Sequence, residues 1–164
     1  MRVSSVAWFF NDLEKVENFA KISALPTHNH PESIKGAQAV ASAIFLARKH
    51  KTKRDIKDYI VQKYNYDLSK TCDEIRPTYK HVESCQETVP QAITAFLEGN
   101  SFEEVIRLAV SLGGDSDTLT AIAGSIAEAY YPIPEKIKEK ALTYLDKDLL
   151  KIYNEFNNKL TTNK

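Results

Sequence analysis

Apolar residues recur with helical spacing along almost the whole chain, and the alternation expected of strands is hard to find. Residues 3–10, VSSVAWFF, and 13–22 form an apolar opening pair. Pro31 starts a longer segment, PESIKGAQAVASAIFLARKH. In it Ile34, Ala37, Ala41, Ile44 and Phe45 share a face at i, i+3, i+4 spacing, with Arg48 on the same line. Pro31 suits the first helical position, where the missing N–H would have no partner anyway. Thr52 and Asp55 mark another start, and Ile56, Tyr59 and Ile60 line its face. Residues 65–85 have no clear period and read as a long irregular connection, which is uncommon unless it does something. Pro90 is expected to open the next helix, with Val89, Ala92, Ile93, Phe96 and Leu97 on one face and Gly99 in a left-handed C-terminal cap. Ser101 and Glu104 are spaced as a capping box ahead of the stripe Phe102, Val105, Ile106, Ala109 and Val110. Gly113 and Gly114 end that helix. The next runs from about Asp115 to about Tyr131, where Pro132 and Pro134 break it. Two short helices follow: one from Pro134 to about Leu142, and one capped by Asp146 with Leu149, Leu150, Tyr153 and Phe156 inward. The last residues, NNKLTTNK, should fray. The pattern predicts an all-α, orthogonal multi-helix bundle of eight or nine helices with no internal repeat.

A length of 164 residues points to a single domain over 1–164. A domain of this size buries roughly 68–70% of the surface its unfolded chain exposes, so a core forms without staples. Basic and acidic residues balance at 22 each, so no net field favours nucleic acid or an anionic membrane as partner. No window approaches the ~18 apolar residues of a membrane span, and the N-terminal apolar run is too short for a signal peptide. Cys72 and Cys85 have no CxxC spacing, which fits a reduced, cytoplasmic setting.

The chemistry concentrates in SLGGDSDTLTAIAGS, residues 111–125. The helix after the double glycine has almost no polar face (Leu119, Ala121, Ile122, Ala123, Gly124, Ile126 and Ala127). It should be buried, with its N-terminus near the centre of the domain. Asp115 or Asp117 taken singly reads as a helix cap. The pair is harder to explain, because one cap needs one carboxylate. Asp115, Asp117 and Thr118 lie within one turn, and carboxylates crowded at a buried site repel unless a cation or proton lies between them. Their oxygens suit Mg²⁺, Mn²⁺ or Ca²⁺ rather than Zn²⁺. The positive end of the helix dipole counts against a cation. Cap and metal site both stay open on these grounds, and three ligands do not complete a Mg²⁺ shell. The chain has no Asp-Asp; Asp73–Glu74 is the nearest acidic pair.

A second cluster is LPTHNHP, residues 25–31. His28 and His30 at i, i+2 are poorly placed for zinc. Asn29 or His30 is expected to cap the Pro31 helix, whose free N–H groups make the stretch a candidate phosphate or ribose contact. A simple cap beside an exposed histidine is the alternative.

LPTHNHPESIKGAQAVASAIFLAR, RPTY, SCQETVPQAI and above all SLGGDSDTLTAIAGSIAEAYY resemble the ADP-ribosylglycohydrolase family, including its dinitrogenase reductase-activating members. The resemblance runs from Met1 to about Phe156. It implies a hydrolase that removes ADP-ribose from modified targets in an all-helical domain with a pair of Mg²⁺ or Mn²⁺ ions. It implies Asp115, Asp117 and Thr118 as metal ligands and His28 as an ADP-ribose contact. The family's N-terminal Gly-Asp stretch, its Thr/Ser-Asp-Asp-Thr motif and its catalytic acid have no counterpart here. MRVSSVA resembles the end of the family's Gly-Asn-Gly-x-x-Met-Arg motif. The chain is therefore expected to be the C-terminal portion of such a domain, with a separate N-terminal half as a possible partner and no catalytic residue of its own. The rival expectation is a non-catalytic ADP-ribose binder or a structural remnant, as in the family's lens crystallins.

Overall fold

The computed structural model describes residues 2–162, which contain no strand and form ten helices. They are α1 (Ser4–Phe9), α2 (Leu13–Ala24), α3 (Pro31–Arg48), α4 (Lys53–Tyr64), α5 (Cys72–Ile75), α6 (Cys85–Glu98), α7 (Phe102–Ser111), α8 (Ser116–Tyr130), α9 (Glu135–Leu142) and α10 (Lys147–Thr162). The all-α expectation holds. By contacts the chain divides into two units, one ending at Pro132 and one starting at Ile133.

In the first unit α3 and α8 are central. From Ala39 to Ala47 every residue of α3 is buried, a wider surface than the single apolar face read from spacing. Ala39, Ala41, Ala43 and Ala47 are the reason: small side chains let α1, α2, α4, α6 and α8 all pack against this helix. Arg48 ends α3 by donating to the carbonyls of Ala7 (2.7 Å), Trp8 and Phe10 (3.0 Å). It thereby satisfies carbonyl groups that the end of α1 leaves open. Helix α8 packs on α3, α6 and α7 through Leu119, Ile122, Ala123, Ile126 and Ala127. It keeps one exposed strip at Asp117, Ala121 and Glu128, so its N-terminus opens at the surface and not at the centre.

The stretch 65–85 is more ordered than its lack of period suggests. Tyr66, Leu68, Cys72 and Ile75 are buried, and Thr71 and Glu74 form a capping box around α5. Helix α6 begins at Cys85, capped by Ser84, and carries Pro90 inside it. Sequence reasoning began it at Pro90 because proline cannot donate to the preceding turn; burial of Thr88, Val89 and Pro90 outweighs that one bond. Gly99 is extended, φ −67°, not left-handed. A Cβ there would lie 2.6 Å from Val105 Cγ2, so glycine is needed for close approach. Ser101 caps α7, while Glu104 reaches back to the N–H of Asn100 instead of that of Ser101. On α7 Val105 and Ala109 are buried but Val110 is 51% exposed.

Beneath α2, Glu17 is the centre of a buried polar cluster. Its carboxylate accepts from Tyr59 Oη (2.6 Å), Tyr64 Oη (2.8 Å), Ser42 Oγ (3.2 Å) and Lys63 Nζ (2.5 Å). Burial pushes its pKa up, but the hydrogen bonds from Lys63, Tyr59 and Tyr64 prevail and hold it below the ordinary value of 4.5.

The second unit consists of α9 and α10. Asp146 caps α10 by accepting from Leu149 N at 2.8 Å, as its spacing predicts. Leu150, Tyr153 and Phe156 are half-buried, whereas Leu149 is 51% exposed. Far from short, α10 continues through most of the tail expected to fray, to Thr162; Asn163 and Lys164 lie outside the described residues.

Candidate functional site

The glycine pair ahead of α8 turns the chain through two left-handed residues, Gly113 at φ 77° and Gly114 at φ 61°. A Cβ on Gly114 would meet the Lys80 carbonyl oxygen at 2.7 Å and the Tyr79 ring at 2.8 Å, so the segment after α5 lies directly on this turn. The turn delivers Asp115 as the N-cap of α8, where it accepts from Thr118 N at 3.4 Å. Asp117, in the first turn of α8, interacts with the Asp115 carboxyl and accepts no cap hydrogen bond among the described residues. A hydrogen bond shared with the Asp117 carboxyl, followed by those from the Thr118 hydroxyl and N–H, holds the Asp115 carboxyl below the usual carboxylate range. Both readings of the motif thus have a residue here: Asp115 is a cap, and Asp117 is a second carboxylate that capping leaves unexplained.

The other cluster comes from the end of α2. His28 N–H donates to the Ala24 carbonyl at 2.8 Å, and His30, not Asn29, caps α3 by accepting from Glu32 N at 3.3 Å. His28 is exposed and free of the cap. Its Nδ1 lies 2.7 Å from Thr27 Oγ1, which also receives a hydrogen bond from Arg2.

These two distant pieces of sequence meet. A cleft of 410 Å³ has His28, Asp115 and Thr118 in its wall, together with Arg2, Cys85 and Ile122. Asp117 is exposed beside it and does not line it. Arg2, Ser84 and Cys85 are cleft residues that sequence reasoning missed. Ser84 begins SCQE, the spacing of a capping box, which is the signal in the sequence that places a helix start ahead of Pro90. Both cysteines are free thiols. Burial, with Glu98 beside it, pushes the Cys72 thiol up to about 12, so it is not a nucleophile near neutral pH.

The donor set accommodates a hard cation in part. Asp115, Asp117 and Thr118 offer carboxylate and hydroxyl oxygens on one turn, the ligand chemistry of Mg²⁺ or Mn²⁺. Among the described residues, however, no three His, Cys, Asp or Glu converge as a complete metal cage. Nor is any helix there long and apolar enough to cross a membrane.

Over residues 1–163 the chain matches the ADP-ribosylglycohydrolase family. It is 31% identical to an uncharacterized protein of Archaeoglobus fulgidus, over 93% of this chain and 56% of that one. It is 26% identical to ADP-ribosylhydrolase ARH3 of Homo sapiens, over 92% of this chain and 54% of that one. Its fold is similar to that of a solved ADP-ribosylglycohydrolase-related protein complex, with TM-score 0.69 and 23% identity over 86% of this chain and 51% of that one. The chain spans about half the length of the curated relatives it matches.

Proposed function

The chain belongs to the ADP-ribosylglycohydrolase family, and we propose that it serves metal-dependent hydrolysis of the bond between ADP-ribose and a modified target. The observation that carries this reading is the convergence of His28, Asp115 and Thr118 on one cleft, with Asp117 at its edge. Asp115, Asp117 and Thr118 would hold Mg²⁺ or Mn²⁺, one or both of a pair. Such ions polarise the ribose diol and orient water toward the anomeric carbon. His28, exposed in the same wall, contacts the ADP-ribose. Two carboxylates and a hydroxyl fall short of the six oxygens that Mg²⁺ takes, so further ligands come from water, from substrate or from protein beyond this sequence.

A second reading has an observation of its own. With no complete metal cage among the described residues, the chain on its own would bind ADP-ribose without turning it over. Addition of a segment that supplies further carboxylates discriminates the two: hydrolysis of an ADP-ribosylated peptide then starts only if this chain's half of the shell is functional.

The metal assignment is tested by melting the chain with and without millimolar Mg²⁺ or Mn²⁺. A bound ion stabilises by RT ln(1 + [L]/Kd), about 2.7 kcal/mol at a hundredfold excess over Kd. An incomplete shell gives a smaller upward shift. Asp117→Asn should abolish the shift, because a neutral amide is a poorer ligand than a carboxylate for a hard cation. Equal melting of both proteins, with and without metal, overturns the assignment.

A further inference from the structure

We propose that Arg2 and Thr27 are positioning residues that fix the tautomer of His28, so that it offers the cleft an Nε2–H donor. The inference rests on the reading of His28 as an ADP-ribose contact, but its first test does not.

The argument is a count of protons. Arg2 Nη2 donates to Thr27 Oγ1 and to the Ser23 carbonyl (3.3 Å). Guanidinium has donors only, so Thr27 Oγ1 is the acceptor in that pair. Thr27 Oγ1 also lies 2.7 Å from His28 Nδ1. A hydroxyl has one proton to give. If Thr27 gives it to Nδ1, the Thr27 hydroxyl and His28 Nδ1 are both paired. If Nδ1 carried the proton instead, Thr27 would accept twice and its own hydrogen would be left to solvent, since Thr27 is exposed. The adjacent cation also polarises the hydroxyl, making it a better donor and a poorer acceptor. Nδ1 is therefore the acceptor, and the ring proton sits on Nε2, which has no protein partner among the described residues. Arg2 is itself anchored, because the Ser23 carbonyl belongs to the last turn of α2, where carbonyls lack helical partners and favour a cation. Among the described residues that line the cleft, only His28 and Arg2 can carry positive charge, against Glu83 and Asp115. A neutral imidazole with its N–H outward donates to a phosphate or ribose oxygen. The opposite tautomer would present a lone pair to the same oxygens and repel them.

The experiment is nitrogen-detected NMR of the histidine rings at about pH 8, above the ordinary imidazole range, with ADP-ribose titrations on the same samples. The expected spectrum of the free protein has His28 protonated at Nε2 and bare at Nδ1. Thr27→Val should mix the two tautomers and weaken ADP-ribose binding about fivefold, the equivalent of one hydrogen bond of ~1 kcal/mol. Thr27→Ser should restore both. Arg2→Met should weaken the preference in the same direction, with the fold checked by an unchanged melting curve. A His28 protonated at Nδ1 in the wild type, or a tautomer unmoved by Thr27→Val, overturns the proposal. The expected tautomer in a protein that binds no ADP-ribose supports the relay and overturns the functional reading of His28 instead.

Discussion

Gly113 and Gly114 share a positive φ but have different surroundings, and alanine at each separates strain from contact. Both sit at positive φ, 77° and 61°. An alanine Cβ in that region costs roughly 1–2 kcal/mol, offset by about 0.4–1 kcal/mol from restricting the unfolded chain. At Gly113 the new methyl meets nothing within 4 Å. Gly113→Ala should therefore destabilise by only about 1 kcal/mol. At Gly114 the same methyl lies 2.7 Å from the Lys80 carbonyl oxygen and 2.8 Å from Tyr79 Cε1. One neighbour is backbone, so it cannot rotate away. Overpacking of this kind adds about 1–3 kcal/mol, which puts Gly114→Ala at roughly 2–4 kcal/mol. Urea unfolding followed by circular dichroism measures both. Because the segment carrying Tyr79 and Lys80 is what Cβ would strike, Gly114→Ala should also displace the turn that delivers Asp115, and any metal-dependent melting shift should fall with it. Equal destabilisation by the two substitutions refutes the placement of Tyr79 and Lys80 on the turn.

Glu17 should make stability depend on pH in the acid range. Its folded pKa lies below the ordinary 4.5, so its contribution is present in full above that value and is lost as pH falls through the lowered one; Glu17→Gln should flatten this part of a melting-temperature profile and cost about 1–3 kcal/mol at pH 7. Gly99→Ala keeps an ordinary φ but places a methyl 2.6 Å from Val105 Cγ2 and 2.8 Å from Val105 N, so urea unfolding should show a loss of about 1–3 kcal/mol. Phe9, Phe19 and Ile22 are 46%, 41% and 47% exposed, and Phe10 stacks on Phe19 at 4.3 Å; the purified chain should bind a hydrophobic dye, and Phe9→Glu with Ile22→Glu should reduce that binding.

What the sequence made legible were features written in local chemistry. Thr52 with Asp55, Ser101 ahead of α7, Pro31 at a first helical position and the double glycine before Asp115 each act within a few residues, and each helix starts where they indicate. The misses have non-local causes. Helix α5 is one turn long, too short to show a period, although TCDE at 71–74 has capping-box spacing. The start of α6 was masked by Pro90, whose cost is outweighed by burial against the rest of the unit. Glu17 sits next to Val16 on a helix of ordinary polarity, and only the fold brings Tyr59, Lys63 and Tyr64 to it. At the site, each motif was visible alone. That His28, Asp115 and Thr118 share one wall is a product of how α2, α3 and α8 pack.

The central claim is that these residues form one site with two separable duties, His28 for ADP-ribose and the aspartates for metal. Calorimetric titration of ADP-ribose in the presence of Mn²⁺ tests it most directly, using wild type, His28→Ala and Asp117→Asn, each paired with a melting curve. The account predicts that His28→Ala weakens ADP-ribose binding about five- to tenfold, one to one and a half hydrogen-bond equivalents of ~1 kcal/mol, while the Mn²⁺-dependent melting shift persists. Asp117→Asn should lose that shift. Wild-type ADP-ribose affinity in His28→Ala, or loss of the metal shift along with the ligand, contradicts it.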